Sequence, residues 1–422
     1  MVMQAATTGM GRESFSARVD FLVELARRLH AYGTTAQRLE GAISAVARRL
    51  NLECDPWSNP TGLILTFSDP TTSELTSITR VIRLEPGDVD LGKLCRADAI
   101  AEQVLAGTLD LASGKQSLRA LDRPPRPRAQ RMTALSFVLA SAAVAGLLHA
   151  GWPDILVAAS IGGLIGVLHV LGSRHPRVSE TFDALAALLA TLIAAAVATW
   201  WVPLSLSSVV VAALIVLLPG LALTNAVAEL TSNHLVSGTA RFAGAVASLF
   251  KLTFGTVVAM QLVRVLGWNP IEAAPAPQPQ WVEWVALLLA SYSFAVLFRA
   301  PLKDYPLVMF ASALGYGVTR LTGVWLLPGH GTFPLGVFLA GLVVTAASNI
   351  YARSANRPGA LIRVPGIILL VPGSIGFRSI TLLMEHDMAV GFATAMSLLA
   401  ALIALVAGVL FGNLLVAPRR NL

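Results

Sequence analysis

Beyond residue 132 the chain is dominated by apolar segments, and this feature constrains its fold more than any other. A helix that crosses a bilayer needs about 20 predominantly apolar residues. Ten candidate spans start near residues 133, 152, 181, 206, 242, 281, 305, 334, 364 and 389. Residues 1–122 instead carry a dense mix of charges and no apolar run of that length. The sequence therefore predicts an α-helical polytopic membrane protein with a soluble N-terminal domain.

The predicted domains follow this division. Helices near residues 15–32, 34–50, 88–106 and 109–121, with strands between residues 52 and 84, indicate a small α+β unit over residues 1–122. Residues 123–132, "RPPRPRAQRM", are predicted to form a stiff basic hinge. Five spans follow at 133–267 and five more at 281–418. Because the soluble domain is expected in the cytosol, Cys54 and Cys95 are interpreted as thiols.

Basic residues lie on one side of the predicted spans. If the N-terminal domain is inside, the inner loops hold every loop cluster of Lys and Arg, whereas the outer loops near residues 150, 203, 273, 330 and 386 hold none. This distribution predicts cytoplasmic N- and C-termini. The first residues resemble no signal peptide, which agrees with that orientation. The net charge of +7 is thus explained by orientation, and no nucleic-acid partner is predicted.

Two Pro-Gly pairs interrupt equivalent spans. Pro219-Gly220 and Pro372-Gly373 lie 153 positions apart, and the same shift places the first five spans on the second five. Since five is odd, the second copy must enter the bilayer from the opposite side, so two inverted five-helix repeats are predicted. At about 1.5 Å per residue, both breaks can meet near the midplane, and paired breaks in inverted halves indicate a transporter's substrate site there. The alternative is that both breaks only kink their helices for packing.

The half-helices after the breaks predict an anionic ligand group, because their free N–H groups and dipoles favour a carboxylate. Asn225 and Arg378 are repeat equivalents, each six residues after its proline. Arg378 is predicted to bind a carboxylate with two hydrogen bonds; the alternatives are snorkelling or pairing with Glu385. The predicted binding residues are Pro219, Gly220, Asn225, Pro372, Gly373, Ser374 and Arg378.

Three ionisable residues are candidates for coupling to protons. Lys251 lies deep in the fifth span, where a charge is costly and usually functional. Asp183 and Glu229 mark ends of the third and fourth spans, where either carboxylate could exchange protons. The alternatives are a buried structural pair for Lys251 and solvated positions for the two acids.

The sequence predicts no cofactor, no metal site and no enzyme activity. Seven histidines are scattered, with no HExxH or Cys-His cluster. "GDVDLGKL" has P-loop spacing, but Leu94 replaces the hydroxyl that would hold Mg²⁺, and Asp88 and Asp90 would repel phosphates. "GGLIG" from Gly162, and Gly408 with Gly412, have the spacing of closely packed helices, within the monomer or in a homo-oligomer.

Several motifs occur in a familiar order. "LARRLHAYGTTAQRLEGAISAVARRL" is followed by "NPTGLILTF", and the membrane part contains "LLPGLALTNAVAEL" and "SNIYARSANRPGALIRVPGIILLVPGS". Over about residues 15–417 the chain resembles the threonine/serine exporter (ThrE) family. The N-terminal part of the resemblance includes the spacing from Gly33 to Arg38 and the turn formed by Pro60, Thr61 and Gly62.

This resemblance implies a cytosolic domain fused to ten spans in a bacterial inner membrane. It also implies export of threonine and serine driven by the proton motive force. Members whose halves are separate polypeptides are associated with C4-dicarboxylate export, which keeps succinate-like substrates open. The predicted partners are thus a small carboxylate-bearing solute, protons and the lipid bilayer. From other functional classes, a passive channel and a membrane-anchored hydrolase or sensor remain alternatives.

Overall fold

The computed structural model of the protein describes residues 14–70, 77–122, 127–172, 176–273, 278–323 and 333–418. The N-terminal domain begins with helices α1 (Phe15–Ala31) and α2 (Ala36–Arg49). Three strands follow, β1 (Glu53–Asn59), β2 (Gly62–Ser68) and β3 (Ser77–Arg83), and then α3 (Leu91–Leu105) and α4 (Leu111–Ala120). The α+β character predicted for this domain is confirmed.

The three strands form an antiparallel meander in the order β1-β2-β3. Alternation along β2 buries Leu63, Leu65 and Phe67 on one face, which packs with the apolar faces of α1 and α2 in a single core. The helices α3 and α4 each start at an aspartate whose carboxylate accepts a backbone N–H, Asp90 and Asp110 respectively. The segment that resembled a P-loop therefore contains an ordinary helix cap.

Helices make up most of the described membrane part. Its helices are α5 (Pro127–Leu147), α6 (Trp152–Gly172), α7 (Pro176–Trp200), α8 (Leu206–Leu214), α9 (Gly220–Thr231), α10 (Leu235–Val265), α11 (Gln280–Leu297), α12 (Tyr305–Leu321), α13 (Phe333–Ala355), α14 (Ala360–Ile368), α15 (Gly373–Met384) and α16 (Met388–Leu415). Residues 123–126 of the predicted hinge lie outside the described residues, and the chain is helical from Pro127.

Eight segments in the described residues are long and apolar enough to cross a membrane, one of them the α14–α15 pair. The protein is therefore a multi-pass membrane protein, but the prediction of ten spans is not confirmed. The fourth predicted span is divided into α8 and α9 by its Pro-Gly break, and α12 has 17 residues. The inverted repeats also remain a prediction.

Helix packing relates the two halves of the membrane part. The third and fifth predicted spans, α7 and α10, pack together, and so do their counterparts α13 and α16. The first span of each half, α5 and α11, also pack against each other. Small residues permit close approach within the chain: a Cβ atom on Gly166 would lie 2.8 Å from Phe137 Cβ, and one on Gly412 would lie 2.7 Å from Thr345 Cβ.

The N-terminal domain packs on one end of the membrane part, which we call the domain face. Its α3 approaches the α11–α12 connection, where Leu91 N donates to Phe298 O at 2.9 Å and Gly92 N donates to Arg299 O at 3.1 Å. The opposite end, which we call the far face, contains the α7–α8 connection and a bridge between Leu204 and Glu272. The N-terminal domain thus contacts the end of the membrane part that carries the α11–α12 connection.

Candidate functional site

A cavity of about 290 Å³ lies between the N-terminal domain and the membrane part. The turn between α1 and α2, the first turns of α2 and the start of α3 form its upper wall. The lower wall consists of α9, the start of α14 and the ends of α13 and α16. Its size is near the lower end of the range for small-molecule sites. The cavity is thus suited to a small solute.

The two Pro-Gly breaks meet beside this cavity. A Cβ atom on Gly373 would lie 3.0 Å from Gly220 Cα, so the two backbones are in direct contact. Pro219 and Pro372 precede α9 and α15 immediately, so each half-helix starts at its break. Sequence spacing predicts that the breaks meet, and this is confirmed. The cavity extends to Leu221, next to the first break, and none of its described lining residues belongs to the far face.

Most of the lining is apolar, and a few polar side chains stand out. Thr224 on α9 is 2% exposed, and its hydroxyl has no hydrogen-bond partner among the described residues. Asn225 lies beside it and also lines the cavity. A buried hydroxyl without a partner is unfavourable unless a ligand or water supplies one. This wall can therefore accept or donate hydrogen bonds to a bound solute.

Two arginines line the cavity from opposite domains, Arg38 in the first turn of α2 and Arg363 in the first turn of α14. Both side chains belong to the lining of one cavity, so two positive charges share it. In the part of the chain that the structure describes, no carboxylate pairs with either guanidinium. Burial lowers the pKa of Arg38 to about 10, so it stays protonated at neutral pH. The cavity thus has an excess of positive charge.

Glu229 is the one acidic residue among the described lining residues, and three donors hold it. Its Oε1 accepts the backbone N–H of Ala36 at 3.0 Å, and its Oε2 accepts Ser237 Oγ at 2.7 Å and Arg241 Nε at 3.3 Å. Ala36 begins α2, whose N-cap Thr35 makes no side-chain cap. The carboxylate of α9 therefore replaces the missing cap and joins the two domains.

The structure brings only some of the predicted site residues into the cavity. Asn225 and Glu229 line it from the membrane part, and Gly33 and Arg38 line it from the N-terminal domain. The other predicted binding residues do not line it: Pro219, Gly220, Pro372, Gly373, Ser374 and Arg378. Arg378 is exposed and donates to Ser207 Oγ, at the start of α8, at 3.1 Å.

The candidate coupling residues Lys251 and Asp183 form a separate polar cluster between α10 and α7. Lys251 Nζ donates to Glu180 O at 3.1 Å. Asp183 has a side-chain hydrogen bond with Ser248 and experiences the charges of Lys251 and His169. These groups line no wall of the cavity. Lys251 thus has a nearby carboxylate, as an ionisable group at membrane depth usually does.

The N-terminal motif residues divide into two groups. Pro60 and Thr61 form the turn between β1 and β2, where Asn59 Oδ1 accepts the Thr61 N–H at 3.0 Å. Gly62 follows at the start of β2 and passes so close to β3 that a Cβ atom would lie 2.8 Å from Ile82 O. Gly33 has φ +76° and ends α1 in the left-handed region. The hairpin residues are structural, whereas Gly33 positions the wall that carries Arg38.

Sequence reasoning missed Arg363 and Thr224 as site residues. Arg363 is one of the basic residues that the charge pattern places in the inner loops, whereas the structure places it within the first turn of α14. Nothing in the local sequence distinguishes it from Arg353 or Arg357. Thr224 directly precedes Asn225, and its position next to a predicted binding residue is the only sequence feature that indicates a role in the site. No group of three or more His, Cys, Asp or Glu side chains among the described residues could hold a metal.

Comparison with known families gives two adjoining matches. Residues 20–263 match a family described as "Putative threonine/serine exporter", and residues 283–415 match one described as "Threonine/Serine exporter, ThrE". Together the two matches cover nearly the whole chain, including both Pro-Gly breaks and the described lining of the cavity except Pro418.

Similar curated proteins are fungal. An uncharacterized protein of Schizosaccharomyces pombe is 23% identical, with 85% of this chain and 48% of the relative aligned. Proteins named pheromone-regulated membrane protein 10 from Yarrowia lipolytica and Saccharomyces cerevisiae are 24% and 25% identical; each alignment covers 85% of this chain, and 30% and 46% of the relative. The chain thus spans less than half the length of these relatives. No solved structure matches it.

Proposed function

The chain belongs to the threonine/serine exporter family, and from this we propose that it is a secondary active exporter of threonine and serine driven by the proton motive force. The observation that carries the proposal is the cavity that ends where two broken helices meet. Alternating-access carriers place substrate at discontinuous helices and open to one side at a time. In this proposal the described conformation is the one in which the substrate site opens toward the domain face.

The lining suits a small zwitterion that also carries a hydroxyl. Arg363 offers a guanidinium to the substrate carboxylate, and Glu229 offers its remaining lone pairs to the ammonium group. The unpartnered hydroxyl of Thr224 and the amide of Asn225, on one wall of the cavity, are available as partners for a substrate hydroxyl. An apolar amino acid would leave these groups unpaired, which would favour serine and threonine over alanine and valine.

The remaining predicted residues are proposed to act in other steps of the cycle. Separation of the breaks would let substrate pass along Pro219, Gly220, Pro372, Gly373, Ser374 and Arg378 toward the far face. The cluster of Lys251 and Asp183 is proposed to exchange the coupling proton, because its charges lie within the spans. Ten spans, inverted repeats, a bacterial inner membrane and cytoplasmic termini complete the proposal.

Counterflow in proteoliposomes tests this function. Purified protein is expected to exchange labelled threonine and serine saturably, at rates that change with an imposed proton gradient. Thr224→Val removes the unpartnered hydroxyl and is expected to raise KM for both substrates about 2- to 10-fold. Thr253 is the matched control, because its hydroxyl is also buried and unpartnered among the described residues but lies outside the cavity. Thr253→Val should leave KM unchanged.

Other outcomes would redirect the proposal. Counterflow of labelled succinate alone would identify a dicarboxylate exporter. The excess positive charge of the cavity could then bind the second carboxylate of the substrate. Flux that neither saturates nor responds to the gradient would indicate a channel. No flux of any of the three solutes, while a known carrier works in parallel, would contradict the proposed function.

A further inference from the structure

Arg38 and Arg363 differ from the other arginines at the contact between the two domains. Arg241 pairs with Glu229 at 3.3 Å, Arg299 with Asp90 at 3.3 Å and Arg357 with Asp304 at 2.6 Å. The two cavity arginines line the same cavity, and neither pairs with a carboxylate among the described residues. Two neighbouring cations that lack a counterion are unfavourable in a partly desolvated site. An anionic ligand between them would remove this penalty.

The position of Arg38 is set by contacts with the membrane part. Glu229 accepts the N–H of Ala36, and His234 Nε2 lies 3.0 Å from Glu40 Oε2. These contacts hold α2 on either side of Arg38, which lines the same cavity as the half-helix that begins at the first break. Gly33 permits the turn before α2, since a Cβ atom there would lie 2.9 Å from Val89 N. Arg38 is therefore held in place as part of a preformed wall.

We infer that Arg38 and Arg363 bind the substrate carboxylate together, so the N-terminal domain supplies part of the transport site. The inference rests on the proposed function and extends it by assigning a substrate contact to the soluble domain. A planar guanidinium can donate two parallel hydrogen bonds to a carboxylate, and two of them can share its four lone pairs. The substrate carboxylate would then be the counterion that joins the two domains.

Direct binding of labelled threonine and serine to the purified, detergent-solubilised protein tests the inference. Arg38→Gln and Arg363→Gln are each expected to weaken binding about 10- to 100-fold. Because both act on one carboxylate, the double variant should lose less than the product of the two single losses. Arg38→Lys keeps the charge without the planar fork and should fall between wild type and Arg38→Gln.

Arg27 provides the matched control, because it is exposed on α1 and lies outside the cavity. Arg27→Gln should bind as the wild type does. Wild-type affinity in Arg38→Gln, with loss in Arg363→Gln, would overturn the inference and leave a site made by the membrane part alone. An equal loss in Arg27→Gln would also overturn it, because it would show a general effect of charge.

A second measurement does not depend on the proposed substrates. Phenylglyoxal modifies accessible guanidinium groups, and mass spectrometry can report each arginine separately. Sodium acetate, compared with sodium chloride at equal ionic strength, should slow modification of Arg38 and Arg363 together and leave Arg27 unaffected. Protection without threonine or serine binding would preserve the two-arginine site while rejecting the proposed substrates. Protection of neither arginine, or of Arg363 alone, would contradict the site itself.

Discussion

At the scale of single residues, Glu229 shows how one buried side chain can serve a structural contact as well as a site. It is 2% exposed, lines the cavity, and its two oxygens face different donors. Ala36 N and Arg241 Nε donate to opposite oxygens of Glu229. A glutamine at this position would therefore point its NH₂ group at one of these donors in both orientations of its amide. Glu229 is therefore expected to contribute to domain docking through its charge.

Cysteine labelling can measure that docking. Burial raises the pKa of Cys54 to about 12 and that of Cys95 to about 11, so both thiols are almost entirely protonated at pH 8 and should react slowly. Cys95 lies at the contact between domains, with Arg357 Nη2 3.9 Å from its Sγ, whereas Cys54 packs against the core of the N-terminal domain. We predict that Glu229→Gln increases maleimide labelling of Cys95 about tenfold at pH 8 and leaves Cys54 unchanged.

Glu283 is the control for this prediction, because it is also buried and pairs with Arg320 at 3.0 Å, but in α11 away from the domain contact. Glu283→Gln should leave Cys95 labelling at the wild-type rate. If both cysteines react faster in Glu229→Gln, the N-terminal domain has unfolded, and the docking role is contradicted.

At the scale of elements, the two broken helices are packed through their glycines. A Cβ atom on Gly220 would lie 3.2 Å from Gly373 Cα and closer still to Val371 Cγ1. The cavity reaches Leu221, next to this contact, and none of its described lining residues belongs to the far face. Sequence spacing predicted that the breaks meet, because their meeting depends on helix length and on the order of the predicted repeats. It did not predict that they meet through backbone contact with no space for a ligand between the glycines.

We predict that Gly220→Ala and Gly373→Ala each impair transport and destabilise the protein by about 1–3 kcal/mol, because the added methyl group overpacks the contact. Gly244 in α10 is the control, since a Cβ atom there would contact nothing within 4 Å. Gly244→Ala should retain transport and be at least as stable as the wild type, since alanine favours the helix. Counterflow rates measure transport, and thermal unfolding measures stability. Normal transport in Gly220→Ala would contradict the prediction that transport requires this close contact.

At the scale of the whole molecule, the loop charges and the docked domain agree. Arg299, Lys303 and Arg357 lie in the connections on the domain face, where Arg299 also pairs with Asp90 of the N-terminal domain. Basic loops favour the cytoplasmic side of a membrane. The same arginines therefore set the expected orientation and hold the domain, a second role that the loop pattern did not indicate.

Single cysteines test this orientation. Ala112, on α4, and Asn269, in a connection on the far face, are both exposed. In intact bacterial cells, we predict that a membrane-impermeant maleimide labels Asn269→Cys directly and labels Ala112→Cys only after permeabilisation. The native Cys54 and Cys95 should add little signal, since burial raises the pKa of both thiols. The reverse labelling pattern would place the N-terminal domain outside.

The sequence alone determined that apolar helices follow a charged N-terminal domain, where two helices break and how the N-terminal domain divides into helices and strands. These features follow from local apolar content, proline and glycine, and short-range periodicity. Only the tertiary structure decided that Arg38 and Arg363 face one cavity and that Glu229 docks α2, whereas Arg378 lies elsewhere. Residues so distant in sequence meet only through helix packing and domain docking, which no local pattern encodes.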